Sequence, residues 1–376
     1  MTGMVRVLNI MSGLDGGGVE NIFLNYYSKM NHEKVVSDII VHSPHKGKLE
    51  DEFEKMGCKI YHVTPKTVSL RKNIAEIYHI MKNGKYDVVH SRMNVKGVTH
   101  ILSAWLCGIK VRMIHTHMAY MPMRGKMKIL APVAKKVCKM FATHWLACSE
   151  DAAIEMFGEK AVKEGKVVIL NNAIELKKFR YNEEVRKKIR KEFGLDEEYV
   201  IGMVGRFHEQ KNHEFMLKVF RSVLKKSPNA KLMLVGGGEL YEDICSKVEQ
   251  TGMQNNVIFT GIRSDVPALL QAMDVFVLPT KYEGFGNVLI EAQAAGLHTI
   301  TSLEGVPKST KVTELIEYVS LHETEEVWAE KILEYENVRE RKDVSKQIQQ
   351  AGFDVDTEVK KFENLYVNAA NEAVKK

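Results

Sequence analysis

Twice along this chain, short runs rich in β-branched residues alternate with longer amphipathic segments, and that alternation restricts the fold more than any other feature. In the first series Val5–Met11, Val35–His42, Tyr86–His90 and Val111–Ile114 read as strands, with helical patterns at Glu20–Met30, Leu49–Met56, Arg71–Met81 and Lys96–Leu106 between them. A polar, charged stretch, Lys177–Glu198, precedes the second series. Its strands are Tyr199–Val204, Lys231–Val235, Val257–Thr260, Val275–Leu278 and His298–Thr301, and its helices are Glu214–Ser222, Leu240–Thr251, Val266–Ala272 and Val288–Ala295. Such β-α repetition implies an α/β fold in which helices cover both faces of parallel sheets. The expectation is two Rossmann-like, doubly wound parallel-sheet domains facing a cleft, residues 1–178 and 179–357, with a C-terminal helix at about 358–376 packing back on the first. A length of 376 residues suits two domains of roughly 100–200 residues each.

A hydrophobic share of 45% beside 27% charged residues excludes a disordered or fibrous chain. No apolar stretch approaches the ~18 residues of a spanning helix. The first residues run into a glycine cluster without a charged leader or cleavage site, so the expected location is cytoplasmic. The five cysteines (Cys58, Cys107, Cys138, Cys148 and Cys245) include no CxxC pair and read as reduced thiols, with no disulfide framework and no zinc site.

Charge is distributed unevenly. Residues 1–180 carry 28 Lys and Arg against 16 Asp and Glu, a net +12, while 181–376 carry 26 against 32, a net −6. No acidic residue occurs from Val88 through Ser149, a window with ten Lys and Arg. It is either a solvated basic face or a surface for phosphate, anionic lipid or nucleic acid.

Ligands of open parallel sheets sit beyond the carboxyl ends of the strands, so the loops there hold the informative residues. After the first strand comes Gly13-Leu-Asp-Gly16-Gly17-Gly18-Val-Glu20, opening a helix. It departs from GxGxxG, and the second strand ends without an acid for a ribose, which argues against a dinucleotide site. Either the glycines let an acceptor or a phosphate approach the backbone, or they form a tight turn. After Tyr199–Val204 comes Gly205-Arg206-Phe207-His208-Glu209-Gln210-Lys211, where Arg206 and Lys211 can address one anion, or can be solvated loop cations. Lys231–Val235 runs into Gly236-Gly237-Gly238, clearing space for a ligand. The most specific segment follows Val275–Leu278. There Glu283 and Glu291 bracket Gly284-Phe285-Gly286-Asn287-Val288 at a helix start, whose bare amides suit a diphosphate.

These segments, taken with Asp87-Val88-Val89-His90, Ile114-His115-Thr116-His117, Val168–Glu175, Phe259-Thr260-Gly261 and Asp265-Val266-Pro267 in this order, make the chain resemble the GT-B fold retaining glycosyltransferases of group 1, the family 4 type that builds capsular and exopolysaccharides. The matches run from Gly13 to Gly296. One departure is Asn172-Ala173-Ile174-Glu175, where the family has Asn-Gly-Ile-Asp.

The resemblance implies transfer of a hexosyl unit from a nucleotide-sugar donor, most often a UDP-sugar, to a glycan or lipid-linked acceptor. It implies donor binding by Gly17, Gly18, Arg206, Lys211, Gly237, Ile262, Glu283, Gly284, Phe285, Gly286, Asn287, Val288 and Glu291. Glu291 would hold the ribose, Glu283 the sugar hydroxyls, and Arg206 with Lys211 the diphosphate, while the backbone at Ile262 would read the base. His115 would meet the donor sugar, with His117 as second candidate; either could instead be a satisfied strand-end histidine. The catalytic set is then His115, Glu283, Arg206 and Lys211. No nucleophile is evident, so front-side attack is expected.

No cofactor and no metal are expected. The single D-x-D, Asp354-Val-Asp356, lies near the C-terminus and reads as a helix cap. Residues 122–141 mix Lys and apolar residues at helical spacing, which suits either peripheral contact with an anionic membrane or a core helix with a solvated basic side. A GT-B sugar-nucleotide epimerase is the nearest alternative. A nucleic-acid-binding protein is more distant, because the basic half offers only Trp105, Tyr120, Phe141 and Trp145 for stacking; no nucleic-acid partner is expected.

Overall fold

A computed structural model describes residues 3–119, 125–338 and 340–375. The chain forms two compact units, Met1–Ile174 with Asp354–Lys376, and Glu175–Phe353. The first holds a seven-stranded parallel sheet of β1 (Val5–Met11), β2 (Val35–Val41), β3 (Ile60–His62), β4 (Val88–Ser91), β5 (Val111–Thr116), β6 (His144–Ala147) and β7 (Val167–Ile169), in the order β3-β2-β1-β4-β5-β6-β7. The second holds a six-stranded parallel sheet of β8 (Val200–Val204), β9 (Lys231–Val235), β10 (Val257–Gly261), β11 (Val275–Leu278), β12 (His298–Ser302) and β13 (Ile316–Val319), in the order β10-β9-β8-β11-β12-β13. Strand order therefore reverses beside β1 in one sheet and beside β8 in the other. In open parallel sheets the ligand-binding loops lie at the carboxyl edge beside such a reversal, here those after β1 and β4 and after β8 and β11.

The central strands are mostly apolar and buried because helices cover both faces. Val88–Ser91 and Val275–Leu278 are buried at every position. Four strands escape the sequence pattern: β3, β6, β7 and β13. They are three or four residues long; β3 and β7 are largely exposed, and β7, although apolar (Val167-Val168-Ile169), is too short to stand out as a strand. The stretch Lys177–Glu198, read as a polar boundary, is instead largely helical, with helices Leu176–Phe179 and Glu183–Glu192. Its charged residues do the packing. Arg190 is buried, donating to the carbonyls of Ala272, Asp196 and Glu198, and Arg186 meets Asp274 at 2.6 Å. Polar composition concealed a helix whose inner face combines Ile189 with the guanidinium groups of Arg186 and Arg190.

The helix Val355–Lys375 belongs to the first unit. It starts where Ile174 and Asp354 form a bridge, with the Val355 amide donating to the Ile174 carbonyl at 3.0 Å. Asp354 Oδ1 accepts from the Asp356 amide at 3.2 Å, so the D-x-D pair shapes a helix start. Val355, Val359, Phe362, Tyr366 and Ala369 repeat at three- and four-residue intervals and are buried. Phe362 meets Tyr26 edge-on, with centroids 5.2 Å apart. Phe362→Ala should lower the stability of this unit by about 3–5 kcal/mol. Urea unfolding in a Trp328→Phe background, read by the fluorescence of Trp105 and Trp145, checks it.

Candidate functional site

In the second unit, the loops leaving β8 and β11 are tied together at the strand-order reversal. The chain leaves β8 through Gly205–Phe207, makes a 3₁₀ turn at Glu209–Lys211, and enters helix His213–Leu224 through left-handed Asn212. Lys281 donates its amide to the Gln210 carbonyl at 2.8 Å, and Thr280 Oγ1 donates to the same oxygen at 2.9 Å. Gln210 Nε2 returns a bond to the Tyr282 carbonyl at 2.7 Å, and Asn212 Nδ2 donates to the Pro279 carbonyl at 3.1 Å. This lacing holds Lys211 Nζ 2.6 Å from Glu283 Oε1, with the two side chains only 15% and 7% exposed. Gln210, Asn212 and Thr280 lie inside the two motifs singled out by sequence, yet nothing in their spacing marked them as the braces.

The glycines here admit protein against protein. A Cβ on Gly205 would press the Lys211 stem at 3.2–3.3 Å. Gly236 and Gly238 adopt φ of +141° and +154° and lie against the backbone of Gly205 and Phe207. A Cβ on Gly237 would meet the Ile262 side chain at 2.9 Å, so these two expected donor contacts are neighbours. The triple glycine was expected to clear space for a ligand; at Gly236 and Gly238 that space is taken by the β8 loop.

Arg206 does not join Lys211. Its guanidinium is exposed and pairs with Glu239 at 3.3 Å, where His208 also reaches. An exposed pair of this kind is worth at most ~1 kcal/mol, so it is readily exchanged for another anion. Phe285 is buried and stacks on Phe353 with centroids 5.4 Å apart, anchoring the loop between Glu283 and the helix. Gly286, at φ +91°, caps helix Asn287–Ala294, which carries Val288 in its first turn and Glu291 beyond it. Burial pushes the Glu291 carboxyl up to about 7, against the pull of the Lys211 cation. One ammonium thus acts on both glutamates.

In the first unit, helix Gly18–Tyr27 starts after Gly17, and its Glu20 carboxylate accepts from the Gly17 amide. The amide expected to face an anion is therefore occupied by a side chain of the same helix, the glutamate half of a capping box. Burial, with a contribution from Asp15, pushes Glu20 up to about 7, while the Gly17 amide and the Ser12 hydroxyl pull the other way.

His115 and His117, at the end of β5, are both buried, with rings 3.9 Å apart. His115 Nδ1 lies 3.2 Å from His90 Nε2, and His90 Nδ1 lies 2.7 Å from the Tyr366 hydroxyl. His115 Nε2 is buried with no hydrogen-bond partner. Beside them Arg92 is buried, donating to Asn9 Oδ1 at 3.2 Å and lying over the rings of Phe23 and Phe362. Burial holds the His90 and His115 imidazoles well below the usual histidine range and His117 down at about 3, with the Arg92 charge reinforcing each. All three are neutral near pH 7. They can orient and hydrogen-bond, but none is poised to give up a proton as imidazolium.

When Tyr366 donates to His90 Nδ1, the His90 proton sits on Nε2 and is donated to His115 Nδ1. The His115 proton must then sit on Nε2, the atom without a partner. Tyr366 was missed by sequence reasoning, because the C-terminal helix shows only amphipathic spacing. ¹⁵N spectra of the imidazoles should report the Nε2–H form of His115, and Tyr366→Phe should convert it to a mixture of tautomers.

Among the described residues no group of three or more His, Cys, Asp or Glu is arranged to hold a metal ion. In the basic segment, Pro122, Met123 and Arg124 lie outside the described residues, as do Tyr120 and the side chains of Lys126 and Met127.

Residues 16–178 match the model of Glycosyltransferase Family 4, and residues 185–351 match that of Glycosyl transferases group 1. The chain is 30% identical over 370 residues to EpsF of Bacillus subtilis (strain 168), named as a glycosyltransferase, covering 96% of each chain. It is also 30% identical, over 61% of each chain, to the UDP-Gal:alpha-D-GlcNAc-diphosphoundecaprenol alpha-1,3-galactosyltransferase of Escherichia coli. Among solved structures, Anabaena HepE in complex with UDP and glucose superposes with a TM-score of 0.74 at 17% identity, covering 99% of this chain and 98% of that one. Two parallel-sheet units with divergent loops at each strand-order reversal, matched in sequence along nearly their whole length, place this chain in the group 1 glycosyltransferases, with the GT-B fold.

Proposed function

We propose that this glycosyltransferase moves a hexosyl unit from a UDP-sugar to a glycan or lipid-linked acceptor in surface polysaccharide assembly, with retention at the anomeric carbon and without a catalytic metal. The buried Lys211–Glu283 pair, with Glu291 within reach of the same ammonium, carries the reading. A pyrophosphate needs cations and amides, and the hydroxyls on either side of it need carboxylate acceptors. The Escherichia coli relative, named for UDP-Gal and a diphosphoundecaprenol acceptor, supports the choice of donor and of acceptor class.

In this mechanism the bond between C1 and the bridging phosphate oxygen breaks. Charge accumulating on the departing diphosphate is met by Lys211, by Arg206 released from Glu239, and by the amides of Gly284–Val288 at the start of helix Asn287–Ala294. Glu283 accepts from the sugar hydroxyls with lone pairs that Lys211 leaves unused. The acceptor hydroxyl attacks C1 from the face the diphosphate is leaving and transfers its proton to the departing phosphate oxygen. Within the first unit, His115 Nε2–H remains available as a hydrogen-bond donor to a substrate hydroxyl. Gly237 and Ile262 serve the nucleotide, whereas the Gly17 amide is engaged by Glu20 and plays no part in this scheme.

Incubation with UDP-hexoses and acceptor in EDTA, followed by NMR of the product anomer, tests the scheme. Lys211→Ala and Glu283→Gln should each lower kcat/KM at least ~100-fold. Since Lys211→Ala strands a buried carboxylate, its folding is checked by thermal unfolding. Full turnover in a folded Lys211→Ala protein, or an inverted product, would refute the scheme.

Glu291 gives a separate prediction. As a ribose-holding group it must be ionised, so donor affinity should fall as pH drops below about 7, and Glu291→Gln should bind weakly with no such pH dependence. Folding stability should run the other way. The raised carboxyl favours the neutral form, so its contribution is present below the unfolded value of 4.5 and lost as pH rises through about 7. Isothermal titration and thermal unfolding across pH 5.5–8.5 should show opposite slopes in the wild type, both reduced in Glu291→Gln.

A further inference from the structure

The carboxyl edge of the first unit's sheet carries a second polar cluster, apart from His115 and its neighbours, that the transfer scheme leaves unused. His42 follows β2, Lys66 lies in the loop after β3, and His100 lies in helix Val98–Leu106 after β4. The two imidazoles stack with centroids 5.1 Å apart. Asn73 Nδ2 donates to the Thr64 carbonyl at 2.7 Å and to His42 Nδ1 at 2.9 Å, which places the His42 proton on Nε2. That atom is buried without a hydrogen-bond partner among the described residues. His100 is fully buried; its Nδ1 lies 2.9 Å from Ser91 Oγ, and its Nε2 is likewise unpartnered. Lys66 Nζ donates to the Lys96 carbonyl at 2.7 Å and to Thr99 Oγ1 at 2.9 Å, which leaves it a third hydrogen. Burial, reinforced by the Lys66 charge, holds His42 down at about 4 and His100 well below the usual histidine range, so both rings are neutral near pH 7.

Donors in this cluster outnumber acceptors, and its ammonium has no carboxylate partner among the described residues. No acid occurs from Val88 through Ser149. Glu76, on the neighbouring helix Leu70–Gly84, is engaged by the Thr64 amide at 2.7 Å and the Thr64 hydroxyl at 3.1 Å. Thr99 lies in the first turn of its helix, so Lys66 sits at the positive end of that helix, where a cation is unfavourable unless an anion accompanies it. Buried donors are normally satisfied, and unsatisfied ones beside an uncompensated ammonium point to an acceptor brought by a ligand. A carboxylate accepts in one plane, whereas a phosphoryl group offers three oxygens to donors that arrive from different elements. We propose that Lys66, Thr99, His42 and His100 form a phosphate-binding site on the first unit. Binding exchanges the Lys96 carbonyl for a phosphoryl oxygen at Lys66 Nζ and gives His42 Nε2–H its acceptor. The site shares no residue with the donor set, goes beyond the transfer reading and stands without it. Its phosphate is borne by a free anion or by an isoprenyl diphosphate.

Titration of ¹⁵N-histidine-labelled full-length protein with inorganic phosphate, pyrophosphate and farnesyl diphosphate tests the site. The His42 Nε2 resonance, identified by its loss in His42→Gln, should shift on titration. Lys66→Met should weaken that response at least ~10-fold, and Thr99→Val, a milder change for folding, about 3-fold. The response should persist in Lys211→Ala, which separates it from the diphosphate pocket of the second unit. A response to farnesyl diphosphate at a much lower concentration than to pyrophosphate assigns the site to a lipid-borne phosphate, and equal responses assign it to a free anion. A His42 resonance unmoved by all three ligands overturns the proposal. So does a response lost in Lys211→Ala, or one unchanged in both Lys66→Met and Thr99→Val.

Discussion

The Lys211 ammonium is the hinge of the second unit's charged cluster because it is buried against a carboxylate and still acts on another. An ion pair of this kind adds little to net stability, since desolvating both charges offsets most of their attraction; removing one partner nevertheless costs several kcal/mol. A costly arrangement of this sort is expected where pairing has a use beyond folding. Here the backbone lacing of Gln210, Asn212 and Thr280 fixes the loop that carries Lys211 to the loop that carries Glu283. The glycines after β9 then let the β8 loop settle backbone to backbone, so the cation's position is set by packing rather than by its own flexible stem. Arg206 has none of these constraints and rests on Glu239 at the surface. The two cations of one motif therefore differ in kind, one preorganised and one free to move.

Much of this was legible from sequence because the informative residues are local to strand ends. The β-α alternation marks nine of the thirteen strands among the described residues, since central parallel strands are buried on both sides and are rich in apolar residues. The four missed strands are short, and a run of three or four residues does not distinguish a strand from a loop. The helix Glu183–Glu192 was hidden by charge, because Arg186 and Arg190 pack where hydrocarbon was expected. Lys211 and Glu283 stood out through the glycines beside them. The direction of Arg206 did not, since it depends on Glu239, delivered by the loop after another strand.

Tyr366 was the least legible residue of all. It lies 276 positions from His90, and the two meet only because the last helix rejoins the unit that begins the chain. No local pattern encodes such a contact, and amphipathic spacing identifies a packing face without showing that one member of it bears a hydroxyl at a histidine.

That helix couples the packing of the first unit to its buried histidines through a single side-chain layer. Phe362 and Phe23 flank the Arg92 guanidinium, and Tyr366 and Asn9 accept its hydrogens. A cation so enclosed, without a carboxylate partner among the contacts described, raises the free energy of any second positive charge placed nearby in the same low-dielectric interior. His90, His115 and His117 stand within its influence and stay neutral for that reason as well as through their own burial. Neutral imidazoles have tautomers, and a tautomer can be set by a hydroxyl, which a protonated ring would not permit. The buried arginine thus makes the Tyr366–His90–His115 chain directional, and the hydrophobic contacts that dock the final helix hold both in register.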